Sequence, residues 1–275
     1  MRRIVSDWRP PEHGHSGELA RMLPDGFAAY ARILHPFWSP DGEQSVSWGQ
    51  VAQWSGRRVH RLAQVPAILK PTAATNGPRP TDDDEPLGGL SADQFVCLLP
   101  HLTRATERAD SCSFGVWDGY AEFHEGAIQE LTLTSEQTAK TPGFMRSLAQ
   151  TAAAALFKPQ GESRVAAVPP VTLLPENFTI PDREFYMFNA PLSIAPTFTQ
   201  HVLGVNDRPL EGTEAPNIWW PDDEAWLIST DIDLASTYVG GRAELIEAIL
   251  ADPGLEAFPA HLSDSVTWDS DTVNQ

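Results

Sequence analysis

The chain has 275 residues, a hydrophobic content of 41% and a formal net charge of −18, which is typical of a globular protein with a sizeable core. The charge is uneven: residues 1–70 hold nine Lys/Arg against six Asp/Glu (+3), and residues 71–275 hold ten against thirty-one (−21). An acidic body disfavours nucleic-acid binding, which depends on basic side chains that neutralise phosphates. It favours a basic protein partner or a cationic ligand instead.

Cysteine usage and hydropathy predict a cytoplasmic protein. The two cysteines, Cys97 and Cys112, have no CxxC spacing, so a disulfide framework is not expected and a reducing compartment fits. The N-terminus lacks the apolar core of a signal peptide. No stretch approaches the roughly 18–20 apolar residues that a membrane span requires.

The first hundred residues predict an arm, helices and a loop. Residues 1–17 are polar and rich in Pro, Gly and His, and predict a flexible N-terminal arm. Residues 24–34 carry apolar side chains at helical spacing and predict a helix that His35-Pro36 ends. Residues 71–89, with four prolines and the run Asp82-Asp83-Asp84-Glu85, predict a mobile acidic loop.

Two capping boxes predict helix starts. A hydroxyl at Ser47 is followed three residues later by the amide of Gln50, and Ser91 and Gln94 repeat this spacing. We expect Pro100 to kink or split the second of these helices, because proline cannot donate the helical hydrogen bond.

The rest of the chain predicts strands more than helices. Cys112 opens a predicted strand, where it is either a lone nucleophile or, more typically, a small buried hydrophobe. Because strands and helices do not alternate strictly, we predict an α+β fold: a mostly antiparallel sheet with packed helices, in one domain over residues 18–275. The predicted strands are residues 112–117, 128–134, 184–188 and 227–232, and the predicted helices are residues 144–157 and 242–250.

Tryptophans and acids are concentrated near the C-terminal end. Trp219 and Trp220 are adjacent, so in an extended segment they face opposite sides, and one enters the core while the other lies outward or in a cleft. A groove of indoles rimmed by carboxylates would bind a cationic partner. Alternatively, all are core aromatics with capping acids. The predicted binding residues are Trp117, Asp118, Trp219, Trp220, Asp222, Asp223, Glu224 and Trp226.

A catalytic alternative depends on Asp231, Asp233 and His124. Side chains two apart on a strand share a side, so the two carboxylates would hold a metal or share a proton. The other interpretation is that the aspartates end a strand and face water, and that His124 is a surface histidine. No zinc, calcium or cofactor motif has the required spacing, so we expect no metal and no cofactor.

Two further motifs could bind a ligand or have a purely structural role. Gly240-Gly241 before a helix would hold an anion or, more simply, form a tight turn. The basic residues Arg57, Arg58, His60 and Arg61 would form a nucleic-acid patch, which so acidic a protein disfavours.

Residues 216–226, 237–241 and 267–271 resemble a family of uncharacterised proteins from GC-rich bacteria, and residues 23–30 and 117–119 are similar to the SUKH superfamily. The SUKH likeness lies in the Leu-Pro opening at residues 23–30 and in Trp117-Asp118-Gly119 at the end of an aromatic strand. It implies a toxin-neutralising immunity role. The segments shared with the first family are Pro216-Asn217-Ile218-Trp219-Trp220-Pro221-Asp222-Asp223-Glu224-Ala225-Trp226, Thr237-Tyr238-Val239-Gly240-Gly241 and Thr267-Trp268-Asp269-Ser270-Asp271.

These patterns together predict a non-catalytic, acidic recognition protein. It would bind a basic protein or a cationic ligand through a tryptophan-rich, acid-rimmed surface, and it would be immunity-like. The alternative is a hydrolase that uses Asp231, Asp233 and His124.

Overall fold

One antiparallel sheet organises the part of the chain that the computed structural model describes, which is residues 3–9, 18–82, 85–119, 171–198, 202 and 216–275. The strands are β1 (Ala29–Leu34), β2 (Phe37–Trp38), β3 (Ser45–Val46), β4 (Cys112–Trp117), β5 (Thr172–Leu173), β6 (Phe178–Ile180), β7 (Arg183–Ala190), β8 (Ile218–Pro221), β9 (Trp226–Thr230), β10 (Ser236–Gly241) and β11 (Ala257–Ala260). Nine of them form the sheet in the order β11-β1-β10-β9-β8-β4-β7-β5, with β6 also on β7, and β2 pairs with β3 separately.

Four α-helices accompany the sheet in the described residues: α1 (Trp48–Ser55), α2 (Val65–Ile68), α3 (Ala92–Ala105) and α4 (Ala243–Ala251). Short 3₁₀ helices span Leu19–Arg21 and Leu192–Thr197. The α+β prediction is therefore confirmed. Both capping boxes form, at Ser47 with Gln50 and at Ser91 with Gln94. Pro100 lies inside α3, which continues past it as one helix.

The sheet is buried on both faces, so its central strands carry apolar side chains in both directions. Helices α3 and α4 and the 3₁₀ helix Leu192–Thr197 cover one face, where Phe114, Trp219 and Ile228 lie. The other face, with Trp220 and Leu227, is covered by irregular segments near both ends of the chain. A third cluster packs α1 and α2 beside Leu34 of β1.

Residues 29–34 form a strand, so the helix predicted over residues 24–34 is wrong. Here β1 pairs with β10 on one side and with β11 on the other, and Ala31 and Ile33 are fully buried. Its apolar positions also fit helical spacing, but pairing with a strand on each side places Ala31 and Ile33 in the sheet core. Long-range pairing therefore overrides the local pattern.

Gly240 and Gly241 lie within β10, so the tight turn predicted for them is also wrong. Gly240 pairs with Tyr30, and a Cβ placed on it would lie 2.5 Å from the ring of Phe27. The missing side chain therefore lets an aromatic ring lie against the strand.

The basic patch holds the C-terminal segment of the chain itself. Arg57 donates to the carbonyl of Asn274 at 2.8 Å, and His60 lies 2.9 Å from a carboxylate oxygen of Asp271, whose side chain is buried. Arg61 forms an ion pair with Asp264. These side chains are thus occupied by internal contacts.

Parts of the predicted arm and of the predicted loop make contacts with the rest of the fold. Residues 3–9 of the predicted arm lie against the sheet, with Val5 1% exposed, and in the predicted loop Thr72 donates to the carbonyl of Ser55 at 2.7 Å. Mobility of these two segments stays a prediction. The predicted elements at residues 128–134 and 144–157 lie outside the described residues. Within the described part, none of the helices has the length and apolarity to cross a membrane.

Candidate functional site

Trp219 and Trp226 are core residues. Their exposures are 1% and 0%, and their rings meet edge to face with centroids 5.4 Å apart. Trp219 also stacks on Phe114 at 5.7 Å, and the indole N–H of Trp226 donates to the carbonyl of Leu102 in α3. The prediction that these two indoles belong to a surface is wrong, because helix α3 and its neighbours cover this face of the sheet.

Trp220 points to the opposite face, as its position next to Trp219 predicts. Its ring lies 5.2 Å from that of Phe178, which in turn lies 6.1 Å from Trp8, and its side chain is only 9% exposed. Phe178 covers this indole within a buried cluster that includes Val5 and Trp8 of the N-terminal segment, leaving little of it accessible to a partner.

Glu224 binds the N-terminal segment rather than rimming a groove. Its carboxylate is buried, and it accepts from the amide of Val5 at 2.9 Å, from the amide and hydroxyl of Ser6, and from Arg3 at 3.0 Å. Burial acts to raise its pKa, but the bonds from Ser6 and Val5 and the charge of Arg3 together lower the pKa below the usual value. The negative charge is therefore held inside the molecule.

Asp222 and Asp223 also make internal contacts. Asp223 accepts from the hydroxyl of Thr106 and the amide of Glu107, just after α3 ends. Asp222 accepts from Arg108 at 3.3 Å. Of the predicted binding residues, Trp117 and Asp118 remain as an aromatic and acidic pair away from this cluster.

Trp117 lies at one end of the sheet, where β4 finishes and β7 begins. The guanidinium carbon of Arg183 is 5.2 Å from the centroid of its indole ring, a cation–π contact. A Cβ at Gly119 would collide with the same ring, so glycine at that position leaves the indole room to fold back. Asn217 fixes the local backbone by accepting from the amide of Trp117 at 2.9 Å.

Asp231 and Asp233 converge on the same arginine. One nitrogen of Arg183, Nη2, donates to Asp231 at 3.2 Å and to Asp233 at 2.8 Å. Strand β9 ends at Thr230, so the prediction that both aspartates lie along one side of a strand is wrong, and they belong to the turn that follows. They meet because both turn toward one cation.

The Nε of Arg183 is buried and has no hydrogen-bond acceptor among the described residues. It lies in a small pocket at the sheet end, lined also by Trp117, Asn217, Thr230 and Asp231. A buried donor that meets no acceptor in the described part of the chain, although its surroundings are polar, is uncommon in folded proteins.

A chain of hydroxyls leads from this pocket to a buried histidine. Thr230 lies 2.6 Å from Thr237, and Thr237 lies 2.9 Å from Nε2 of His35. Burial lowers the pKa of His35 to about 3, so its ring is neutral. Because the carbonyl of Pro86 can only accept, Nδ1 carries the proton, Nε2 accepts from Thr237, and Thr230 donates to Thr237.

Five carboxylates gather at this sheet end: Asp118, Asp182, Glu184, Asp231 and Asp233. Asp182 and Asp233 have side chains that are 82% and 72% exposed. Two arginines lie among them, Arg183 and Arg21, and the latter pairs with Asp182 at 2.8 Å. Five negative and two positive charges give the acidic sheet end, as we call this group with Trp117, a formal charge of −3.

Of the three residues of the catalytic alternative, the structure brings Asp231 and Asp233 together. His124 lies outside the described residues, and Asp231 and Asp233 hold an arginine. Over the described ranges no group of three or more His, Cys, Asp or Glu side chains is placed to hold a metal ion. The thiol of Cys112 is buried, and burial together with Asp222 raises its pKa to about 12, so it is not a ready nucleophile.

Sequence reasoning missed Arg183. It stands one residue before the strand predicted over residues 184–188 and 48 residues before Asp231, and no local motif links it to Trp117 or to the aspartates. The one available signal was that a lone cation stands in so acidic a part of the chain.

Comparison of the chain with protein-family models, with curated proteins and with solved structures finds no match in any of the three.

Proposed function

We propose that this is a non-catalytic recognition protein whose acidic sheet end binds a cationic group of a basic partner. The observation that carries the proposal is the arrangement of Trp117, Asp231 and Asp233 around Arg183. An indole face and two carboxylates bind the guanidinium of Arg183 there, and the Asp233 side chain, 72% exposed, stays accessible to a second guanidinium from a partner.

The exposed acids supply the accessible part of the site. Asp182 and Asp233 each reach water with most of their side chain while their other contacts hold them in place. The formal charge of −18 would also attract a basic partner over long distances and speed its association.

A basic toxin is one partner that fits these requirements. The similarity of residues 23–30 and 117–119 to the SUKH superfamily supports an immunity-like role, in which the acidic sheet end would neutralise the charge of the toxin. The hydrolase alternative is less well supported, because Asp231 and Asp233 are engaged by Arg183.

Titration calorimetry with an arginine-rich peptide and a lysine-rich peptide of equal charge tests the proposal. The double variant Asp182→Asn/Asp233→Asn should weaken binding of the arginine-rich peptide by about tenfold at low salt. The lysine-rich peptide should bind less well, since a guanidinium presents paired donors to a carboxylate and an ammonium is a single point charge.

The matched control is Glu43→Gln/Glu85→Gln, which removes two charges from exposed positions elsewhere. This variant should bind as the parent protein does. If both double variants lose affinity equally, attraction to the overall negative charge explains the binding and the proposed site is wrong.

A further inference from the structure

A groove with basic walls lies between the end of α3 and the start of α4. It has a volume of about 370 Å³, within the range of small-molecule sites, and lies on the face of the sheet opposite to Trp117. Its floor is apolar, from Ala105, Leu245 and Ala248. The charged residues that line it are His101, Arg104, Arg242 and Glu244.

The two arginines of this groove differ in their contacts. Arg242 donates to the carbonyl of Ala105 at the end of α3, which fixes its guanidinium at the groove wall. For Arg104, the structure gives no ion pair or side-chain hydrogen bond with any described residue. The side chain of Arg104 is exposed, whereas Arg21, Arg61, Arg108 and Arg183 all pair with aspartates.

The helix end beside the groove is less repulsive to an anion than a bare helix C-terminus. Carbonyl groups there normally carry partial negative charge. Here the carbonyl of Leu102 accepts from the indole N–H of Trp226 at 3.1 Å, and that of Ala105 accepts from Arg242. His101 is oriented by Asp252 at 2.7 Å. Two arginines and one glutamate leave the groove a formal charge of +1 apart from that histidine–aspartate pair.

We propose that this groove binds a small organic anion, with its carboxylate or phosphate group on Arg104 and Arg242 and its apolar body on Ala105, Leu245 and Ala248. Guanidinium groups present paired donors to such oxyanions. The site shares no residue with the acidic sheet end, so failure of one proposal would not contradict the other.

Titration calorimetry of the full chain with benzoate, phenyl phosphate and neutral benzyl alcohol tests the proposal. Both anions should bind in the millimolar range or tighter, and benzyl alcohol should bind at least about tenfold more weakly. Arg104→Gln should weaken anion binding by about tenfold or more while thermal stability stays unchanged, because Arg104 is exposed and makes no ion pair or side-chain hydrogen bond with the described residues.

Two matched variants separate a site from a general charge effect. Lys70→Gln removes one exposed positive charge outside the groove and should leave anion binding unchanged. Glu244→Gln removes the opposing charge at the groove and should tighten it. Absence of anion binding at tens of millimolar, equal binding of benzyl alcohol, or an equal loss in Lys70→Gln would each overturn the proposal.

Discussion

The guanidinium of Arg183 lies over the indole of Trp117, with its carbon 5.2 Å from the ring centroid, and the same group donates to both Asp231 and Asp233. One cation thus joins the ends of three different strands, β4, β7 and β9. The sequence offered Trp117 as a binding residue and the two aspartates as catalytic residues. In the structure all three belong to one cluster around Arg183.

Replacing Arg183 by Met should destabilise the protein by about 1–2 kcal/mol, an estimate between exposed and buried ion pairs. The change leaves Asp231 and Asp233 without their shared counter-ion, so they repel each other. Urea unfolding at low and high salt checks this, because salt screens the repulsion and should reduce the loss. A loss no larger than that of Lys70→Gln would contradict the role assigned to Arg183.

Trp219→Ala should cost about 3–5 kcal/mol of unfolding free energy, because a fully buried indole leaves a cavity among Phe114, Phe95 and Trp226. Trp268→Ala is the matched control, since that indole is 76% exposed, and it should change stability by less than about 0.5 kcal/mol. Both are measured by urea denaturation. Equal effects of the two substitutions would contradict the assignment of Trp219 to the core.

Glu224→Gln should release the N-terminal segment and destabilise the protein by about 2 kcal/mol, the cost of losing hydrogen bonds to a buried charge. Trypsin should then cleave after Arg3 faster than in the parent protein, whereas Arg9 is protected by the proline that follows it. Glu43→Gln, at an exposed position, should leave the cleavage rate unchanged.

The contribution of Glu224 should also depend on pH. Its pKa is lowered in the folded state, so the stabilisation is fully present above the pKa of an unfolded glutamate, about 4.3. It is lost as pH falls through the lower folded pKa. The stability difference between Glu224→Gln and the parent should therefore shrink below about pH 4, and a difference that is constant from pH 7 to pH 3 would contradict this account.

Cys112 should resist thiol reagents until the protein unfolds. It is fully buried, and burial, together with the charges of Asp222 and Asp223, raises its pKa to about 12. Cys97 is partly exposed, and its pKa is raised by slight burial and by Asp252, so it should react slowly but first. Reaction with a chromogenic disulfide on Cys97→Ser and Cys112→Ser separates the two thiols. Rapid modification of Cys112 in the native protein would contradict its burial.

The sequence by itself determined those features whose causes lie within a few residues. The capping boxes at Ser47 and Ser91 start helices because hydroxyl and amide are three positions apart, and the helix over residues 243–251 follows from its own apolar spacing. Trp219 and Trp220 face opposite sides because side chains alternate along any strand. The lack of strict alternation between strands and helices was enough to predict α+β.

Only the tertiary structure decided which face is covered and which charges meet. Residues 29–34 are a strand because β10 and β11, more than two hundred residues away, supply its hydrogen bonds. Glu224 is buried because Val5, 219 positions earlier, donates to it. Arg183 meets Trp117 and the two aspartates because sheet pairing brings strand ends together. Contacts between distant residues leave no periodic trace in the sequence, so local patterns identified the tryptophans and acids but not their positions in the fold.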